Sequence, residues 1–223
     1  MRLIAHRGFC STYPENTLQA VEAAASIADE IEIDVRRCGS GELVVIHDET
    51  VDRVTDGNGP VAEHTRADLE ALDVLGTGQG VPTLEDALGA VPEYVGVNVE
   101  LKERGTEADA LELIDAHHPQ AIVSSFSRQV LADCREIDPT VPRAYLTEES
   151  GAAEIEIAIH LDCEYFHPAM DICTDRIVAD AHRAGMSVTA WSVDSSDEAE
   201  TLARTGVDGV IADRPDVLTE SMV

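Results

Sequence analysis

A chain of 223 residues, 44% hydrophobic but only 4% aromatic, can bury one large core built from Val, Ile, Leu and Ala. Its 44 acidic residues against 15 basic ones give a formal net charge of −29, which argues against nucleic acid and anionic membranes as partners, because both demand a basic patch. No apolar run approaches the ~20 residues that span a bilayer, so a stable membrane association is not expected.

Nothing at the N-terminus reads as a signal peptide, since Met1-Arg2-Leu3-Ile4 leads straight into a motif. The five cysteines show no Cys-x-x-Cys spacing, as idle thiols in a reducing cytoplasm would, and a cytoplasmic protein is expected. Lysine is nearly expelled while arginine is kept, and acid is spread over the whole chain. That pattern suits a salt-rich cytoplasm, where screening over ~3 Å at about 1 M salt relieves self-repulsion. Disorder is the rival explanation for such acidity, and the regular strand signals argue against it.

In chain order, β-branched runs alternate with helical patterns. Strands are predicted at Leu3–Ala5, Glu30–Val35, Tyr94–Leu101, Ala121–Ser124, Arg143–Leu146, Glu164–His167, Ser187–Trp191 and Gly209–Ala212. Helices are predicted at Thr17–Asp29, Thr83–Leu88, Glu107–His117, Arg128–Ile137, Ala152–Ile159, Asp175–Ala184, Asp197–Thr205 and Asp213–Glu220. Ser195-x-x-Glu198 is a capping box, and Gly206 is placed to end the helix it opens. Eight βα units in this length fit a TIM (β/α)8 barrel forming a single domain over 1–223 better than a doubly wound sheet.

One stretch, about 36–81, breaks the rhythm and reads as an insertion after the second strand. It opens with a hairpin whose return strand is Glu42–Ile46, followed by a Gly-rich turn at Asp56–Pro60 and a short helix near Arg66–Ala71. A two-residue loop at Gly39-Ser40 pairs Cys38 with Gly41 and sets His47 opposite Glu32. A loop at Ser40-Gly41 sets His47 opposite Asp34. Either register faces His47 with the two carboxylates, whereas a one-residue slip turns it behind the sheet beside Ile33.

Residues at the C-terminal ends of barrel strands face the active site of this fold. His6 and Arg7 end the first strand, Glu32 and Asp34 share one face of the second, Glu100 and Lys102 end the third, and Trp191 ends the seventh. Lys102 is the only lysine, and Trp191 the only tryptophan, of the chain. Three converging carboxylates must share protons or bind a cation, and oxygen-only ligands favour a hard ion, Mg²⁺ or Ca²⁺ with Mn²⁺ as a further candidate, over zinc. His6 and His47 suit a general acid and a general base, and Arg7 and Lys102 suit phosphate oxygens. That set is a toolkit for metal-assisted cleavage of a phosphate ester. His167 is a further candidate for the pocket; His64, His117, His118, His160 and His182 are expected at the surface.

His6-Arg7-Gly8, Pro14-Glu15-Asn16-Thr17, Glu32-Ile33-Asp34-Val35, His47-Asp48-x-Thr50-x-x-Arg53, Glu100-Leu101-Lys102, Trp191-Ser192-Val193-Asp194 and the run Gly206–Pro215 follow in an order that resembles the glycerophosphodiester phosphodiesterase family over nearly the whole chain. The family often carries Thr and Asn where this chain has Ser192 and Asp194. The resemblance implies a TIM barrel with a small insertion after the second strand, a divalent metal on Glu32, Asp34 and Glu100, and His6 and His47 as the acid/base pair. It further implies Arg7 and Lys102 on the phosphate and Trp191 on the glycerol side. The expected partner is a small-molecule glycerophosphodiester, cut to glycerol phosphate and an alcohol through either a cyclic intermediate or direct hydrolysis. Rival expectations are a lyase-type phospholipase on a related barrel and a non-catalytic phosphate-ester binding barrel. The oligomeric state is open.

Overall fold

Strands whose two faces are both covered are rich in Val, Ile and other apolar residues, and this chain has eight such strands. The computed structural model describes residues 1–219 and Met222. Its strands are β1 (Arg2–His6), β2 (Glu30–Arg37), β3 (Leu43–Val45), β4 (Gly96–Leu101), β5 (Ile122–Ser125), β6 (Arg143–Thr147), β7 (Tyr165–Pro168), β8 (Ser187–Val193) and β9 (Gly209–Ala212). All but β3 run parallel, in the order β1-β9-β8-β7-β6-β5-β4-β2, and β2 pairs back onto β1 to close a TIM barrel.

The helices α1 (Leu18–Ala24), α2 (Arg66–Glu70), α3 (Leu84–Ala90), α4 (Glu107–His117), α5 (Arg128–Ile137), α6 (Ala152–His160), α7 (Asp175–Arg183) and α8 (Ser196–Thr205) follow the strands. All except α2 belong to the outer ring. Side chains pointing outward from the strands, such as Ile31, Ile33, Val97, Val99 and Val123, form the main core with the helices. The capping box at Ser195 and Glu198 forms, and Gly206 ends α8 in the left-handed conformation. The helix starting at Thr17 is shorter than predicted, because the chain turns after Ala24 to bring Asp29 back to the backbone of Leu3.

The helix predicted over Asp213–Glu220 does not form among the described residues, and Glu220 lies outside them. Pro215 disfavours a helical Arg214. Asp213 instead turns its side chain to His6, and Val217 is buried in the main core.

The segment between β2 and α3 leaves the barrel rim and carries its own small core of Cys38, Val44, Ile46, Val51, Val54, Val61, Leu69, Val74 and Val81. β3 and the residue after it serve both cores: Leu43 and Val45 face the main one, Val44 and Ile46 the small one. β2 outruns β1, and β3 takes over the freed edge, antiparallel.

The hairpin register differs from both expected ones. Val35 lies opposite Val45, Arg36 opposite Val44 and Arg37 opposite Leu43, which is the one-residue slip. The loop has three residues, Gly39-Ser40-Gly41, not two. It is shaped by contacts far along the chain: the Gly39 amide donates to the His64 carbonyl, and the Ser40 hydroxyl accepts from the Arg66 amide. Gly41 takes a φ of +108°, as three-residue hairpin loops demand of one residue.

Candidate active site

Parallel pairing sets the polar residues of three neighbouring strands side by side. His6 lies level with Glu32, Glu32 with Asn98, and Asp34 with Glu100. All these side chains point into the barrel at its C-terminal end, where a cavity of about 300 Å³ opens. It is lined by His6, Arg7, Glu32, His47, Glu100, Lys102 and Trp191, together with Asn98, Ser124, Phe126 and Glu148. Of the eight residues singled out in the sequence, Asp34 alone lies off the wall, fully buried just behind it.

Glu32, Asp34 and Glu100 bring one carboxylate oxygen each within 4.8 Å of one another, and all three are buried. Such a cluster demands positive charge, and Lys102 supplies it. Its Nζ lies 2.9 Å from Asp34 Oδ1 and also pairs with Glu100. Arg7 adds a second cation, with Nε 3.0 Å from Asp34 Oδ2, while its backbone amide donates to Glu32 Oε2 at 3.0 Å. Asn16 donates to Asp34 at 2.8 Å. Glu32 Oε1 is buried and has no hydrogen-bond partner among the described residues. That bare oxygen, in an all-oxygen donor set, fits a hard divalent cation.

Charges follow the same logic. Burial and the neighbouring Asp34 push Glu32 up to about 8, and the same two causes raise Glu100. Burial would raise Asp34 as well, but Lys102 and Arg7 hold it down at about 2.

Each histidine has a carboxylate behind Nδ1, which leaves Nε2 as the working edge. His6 Nδ1 is 2.5 Å from Asp213 Oδ1, and its Nε2 is 4.0 Å from Glu32 Oε2. Burial would lower the His6 imidazolium, yet bonds to Asp213 and Cys10 and the charge of Glu32 outweigh it and carry the group to about 10. His47 Nδ1 is 2.6 Å from Asp48 Oδ1. Burial lowers its pKa below 6.5, against the opposing pull of Asp34 and Asp48.

His47 reaches the cavity despite the slipped register because β3 ends before it. The last ladder-like bond is from the Ile46 amide to the Asp34 carbonyl. There the chain turns, and Arg36 Nε, from the inward face of β2, holds the His47 carbonyl at 2.8 Å. The expectation that the register itself aims His47 is therefore wrong; a side chain one strand over does the aiming.

Several residues given no role in the sequence reading belong to the site. Asp48 also binds Arg53 Nε at 2.6 Å, Arg53 binds Glu15 at 2.7 Å, and Glu15 binds Arg7 at 3.1 Å. This belt of ion pairs ties His47 to Arg7. Glu15, Asn16, Asp48, Arg53 and Asp213 all lie inside the motifs, but only the closed barrel shows what each one holds. Phe126 meets Trp191 edge to face with ring centroids 5.4 Å apart, and Trp191 Nε1 donates to the His167 carbonyl at 2.8 Å.

Two other histidines depart from expectation. His167 is buried inside the barrel against Tyr165, off the cavity wall, where burial and the charge of Arg2 push it down to about 3. His118, expected at the surface, is buried where α4 gives way to β5, and its amide and carbonyl close the turn between them. Asp194 is exposed and off the cavity wall.

Similarity to known proteins runs the length of the chain. It is 32% identical to a glycerophosphodiester phosphodiesterase of Caldanaerobacter subterraneus subsp. tengcongensis, with 97% of this chain and 95% of that one covered. It is 31% identical to a probable glycerophosphodiester phosphodiesterase 2 of Mycobacterium tuberculosis over 99% of this chain and 90% of that one. Among solved structures, an Oleispira antarctica phosphodiesterase in complex with its product sn-glycerol-3-phosphate superposes with a TM-score of 0.89 at 32% identity, covering 96% of this chain and 94% of that one. Residues 6–217 match the family as a whole, so the chain belongs to the glycerophosphoryl diester phosphodiesterase family.

Proposed function

We propose that this protein hydrolyses water-soluble glycerophosphodiesters to glycerol phosphate and an alcohol in a reducing cytoplasm, with a divalent metal held by Glu32, Asp34 and Glu100. Family membership supports the substrate class. The observation that carries the metal is the buried, unpartnered Glu32 Oε1 beside two further carboxylates. Mg²⁺ and Ca²⁺ fit such an oxygen set best, with Mn²⁺ acceptable. When bound, the ion would polarise the phosphoryl oxygens and offset charge that develops on them.

The chain's own residues do the rest in this reading. Arg7 and Lys102 bind the phosphate oxygens, exchanging part of their contact with Asp34 for contact with substrate. Trp191 forms the apolar wall against the glycerol carbons. His47, whose environment keeps it neutral, takes the proton of the nucleophile, either a water that hydrolyses the diester directly or the glycerol 2-hydroxyl, in which case a water then opens the cyclic phosphate to glycerol phosphate with the two histidines exchanging roles. His6, whose environment keeps it charged, gives a proton to the departing alkoxide at Nε2. Asp48 and Asp213 hold the two rings and are positioning residues.

The test is release of glycerol phosphate from glycerophosphocholine, glycerophosphoethanolamine and glycerophosphoglycerol, with and without chelator. Chelation is expected to abolish turnover, and Mg²⁺, Ca²⁺ or Mn²⁺ to restore it. Full turnover in metal-free buffer would sink the three-carboxylate assignment. As a check independent of activity, Mn²⁺ bound to the wild type is to be counted by its paramagnetic resonance, and Glu32→Gln is expected to lose it.

A further inference from the structure

A second group of metal-capable atoms lies on the far side of the His6 ring. His6, Cys10 and Asp213 each offer one ligand atom, all within 4.8 Å of one another. We infer that these three residues form an inhibitory site for a soft divalent ion such as Zn²⁺ or Cd²⁺, distinct from the carboxylate site on the other side of the ring.

Tetrahedral zinc, with bonds of about 2.3 Å to sulfur and about 2.0–2.2 Å to nitrogen and oxygen, sets its ligand atoms roughly 3.4–3.6 Å apart. Cys10 Sγ lies 3.7 Å from His6 Nδ1 and 3.2 Å from Asp213 Oδ1. Only the His6–Asp213 edge, now a hydrogen bond of 2.5 Å, must open. The backbone holds the three side chains in place. The Cys10 amide donates to the His6 carbonyl at 3.1 Å, and the Ser11 amide donates to the Asp213 carbonyl at 3.0 Å. Cys10 is partly exposed, whereas Cys38, Cys134, Cys163 and Cys173 are buried, so Cys10 is the thiol that an ion from solvent meets.

Donor chemistry separates the two sites. Glu32, Asp34 and Glu100 offer oxygen alone, which suits hard ions; a sulfur, a nitrogen and an oxygen suit zinc or cadmium. The two sites use opposite edges of the same ring, because Nε2 faces Glu32 and Nδ1 faces Asp213. Binding displaces the Cys10 thiol proton and the Nδ1 proton to solvent and leaves the fourth metal position to water. The ion then occupies the nitrogen that Asp213 uses to orient and charge His6, so the ring can no longer cycle a proton at Nε2.

The experiment uses Mg²⁺-saturated protein titrated with Cd²⁺ and, separately, with Zn²⁺. One equivalent of Cd²⁺ is expected to bring up a thiolate-to-metal absorption in the ultraviolet, and Zn²⁺ to slow glycerol phosphate release even at excess Mg²⁺. In Cys10→Ser the absorption is expected to vanish, and half-inhibition to need about tenfold more Zn²⁺ or beyond, the usual scale for a damaged metal site. Alkylating Cys10 in the wild type provides the same contrast without a variant. Absorption that is absent, or that survives loss of the Cys10 thiol, overturns the proposal. Inhibition erased by raising Mg²⁺ also overturns it, since zinc would then be competing at the carboxylates. The inhibition arm rests on the acid role of His6; the absorption arm does not, and it decides the site even if no diester is turned over.

Discussion

Lys102 stands where the carboxylate cluster wants a cation, and this makes its amine part of the site's charge balance. Burial by itself would lower its pKa, but Asp34 and Glu100 raise it. Replacing it by Met leaves buried carboxylates unbalanced, which typically costs about 3 kcal/mol when one partner of a buried pair is lost. Lys102→Met is therefore expected to lower the Tm of metal-free protein and to lose less when Mg²⁺ is present; thermal unfolding in both conditions reads it. An equal loss with and without metal would show that Lys102 does not share the metal's electrostatic task. The two histidines predict a bell-shaped pH profile. A base works only when deprotonated, so kcat/KM is expected to fall as pH drops through a value below 6.5, the side to which His47 is shifted. An acid works only when protonated, so the rate is expected to fall as pH rises through a value above 6.5, the side to which His6 is shifted. His47→Ala and His6→Ala should each cut the rate by about 10²-fold and erase its own limb. The convergence of the two histidines and three carboxylates at one end of the barrel was legible in the sequence because they lie at or beside strand ends. Asp213 was not, because its partner lies 207 residues away and they meet only when the barrel closes.

The strands were legible as elements because a barrel strand buries both faces, and Ile31, Ile33, Val97 and Val99 read as apolar whichever neighbour is polar. The hairpin was legible, but its register was not. Register depended on a three-residue loop, and that loop is shaped by His64 and Arg66, which no local pattern ties to Gly39 or Ser40. The turn after β1 is tighter still. Arg7, Gly8 and Phe9 take φ values of +51°, +77° and +67°, and α1 packs directly on them. A Cβ on Gly8 would come 2.7 Å from the Ala20 Cβ and 2.9 Å from its carbonyl carbon. Gly8→Ala is thus expected to cost about 1–3 kcal/mol from backbone conformation alone, before the clash. Because the same turn carries His6 and Arg7, the rate should fall at temperatures where the variant is still folded. Urea midpoints and kcat, measured together, check both.

Across the whole molecule, a net 29 negative charges repel one another, and ion pairs such as Arg37–Asp109 and Arg135–Asp162 offset only part of this. Salt weakens both attraction and repulsion, but the excess sign decides the balance. Tm is expected to rise from low to molar KCl. A Tm that stays flat or falls would remove the salt-rich habitat from the account without touching the chemistry. The closed barrel was legible from the count of βα units, and the charge says nothing about it. Among the described residues no helix is long and apolar enough to cross a membrane.

The small second core has a consequence for how the protein comes apart. Nine buried side chains hold the segment carrying His47, while Glu32, Asp34 and Glu100 hang from strands in the larger core. Cooperative units with separate cores open separately, at free energies below that of global unfolding. In native-state hydrogen exchange, the amides of Val51, Val61 and Val81, which donate within and around the small core, should exchange through a cheaper opening than the barrel-strand amides of Ile33 and Val99. Such an opening removes one histidine and leaves the carboxylates assembled. Mild denaturant should then yield a state that still captures the divalent ion yet turns over nothing, its silence reversed on dilution faster than the barrel itself could refold.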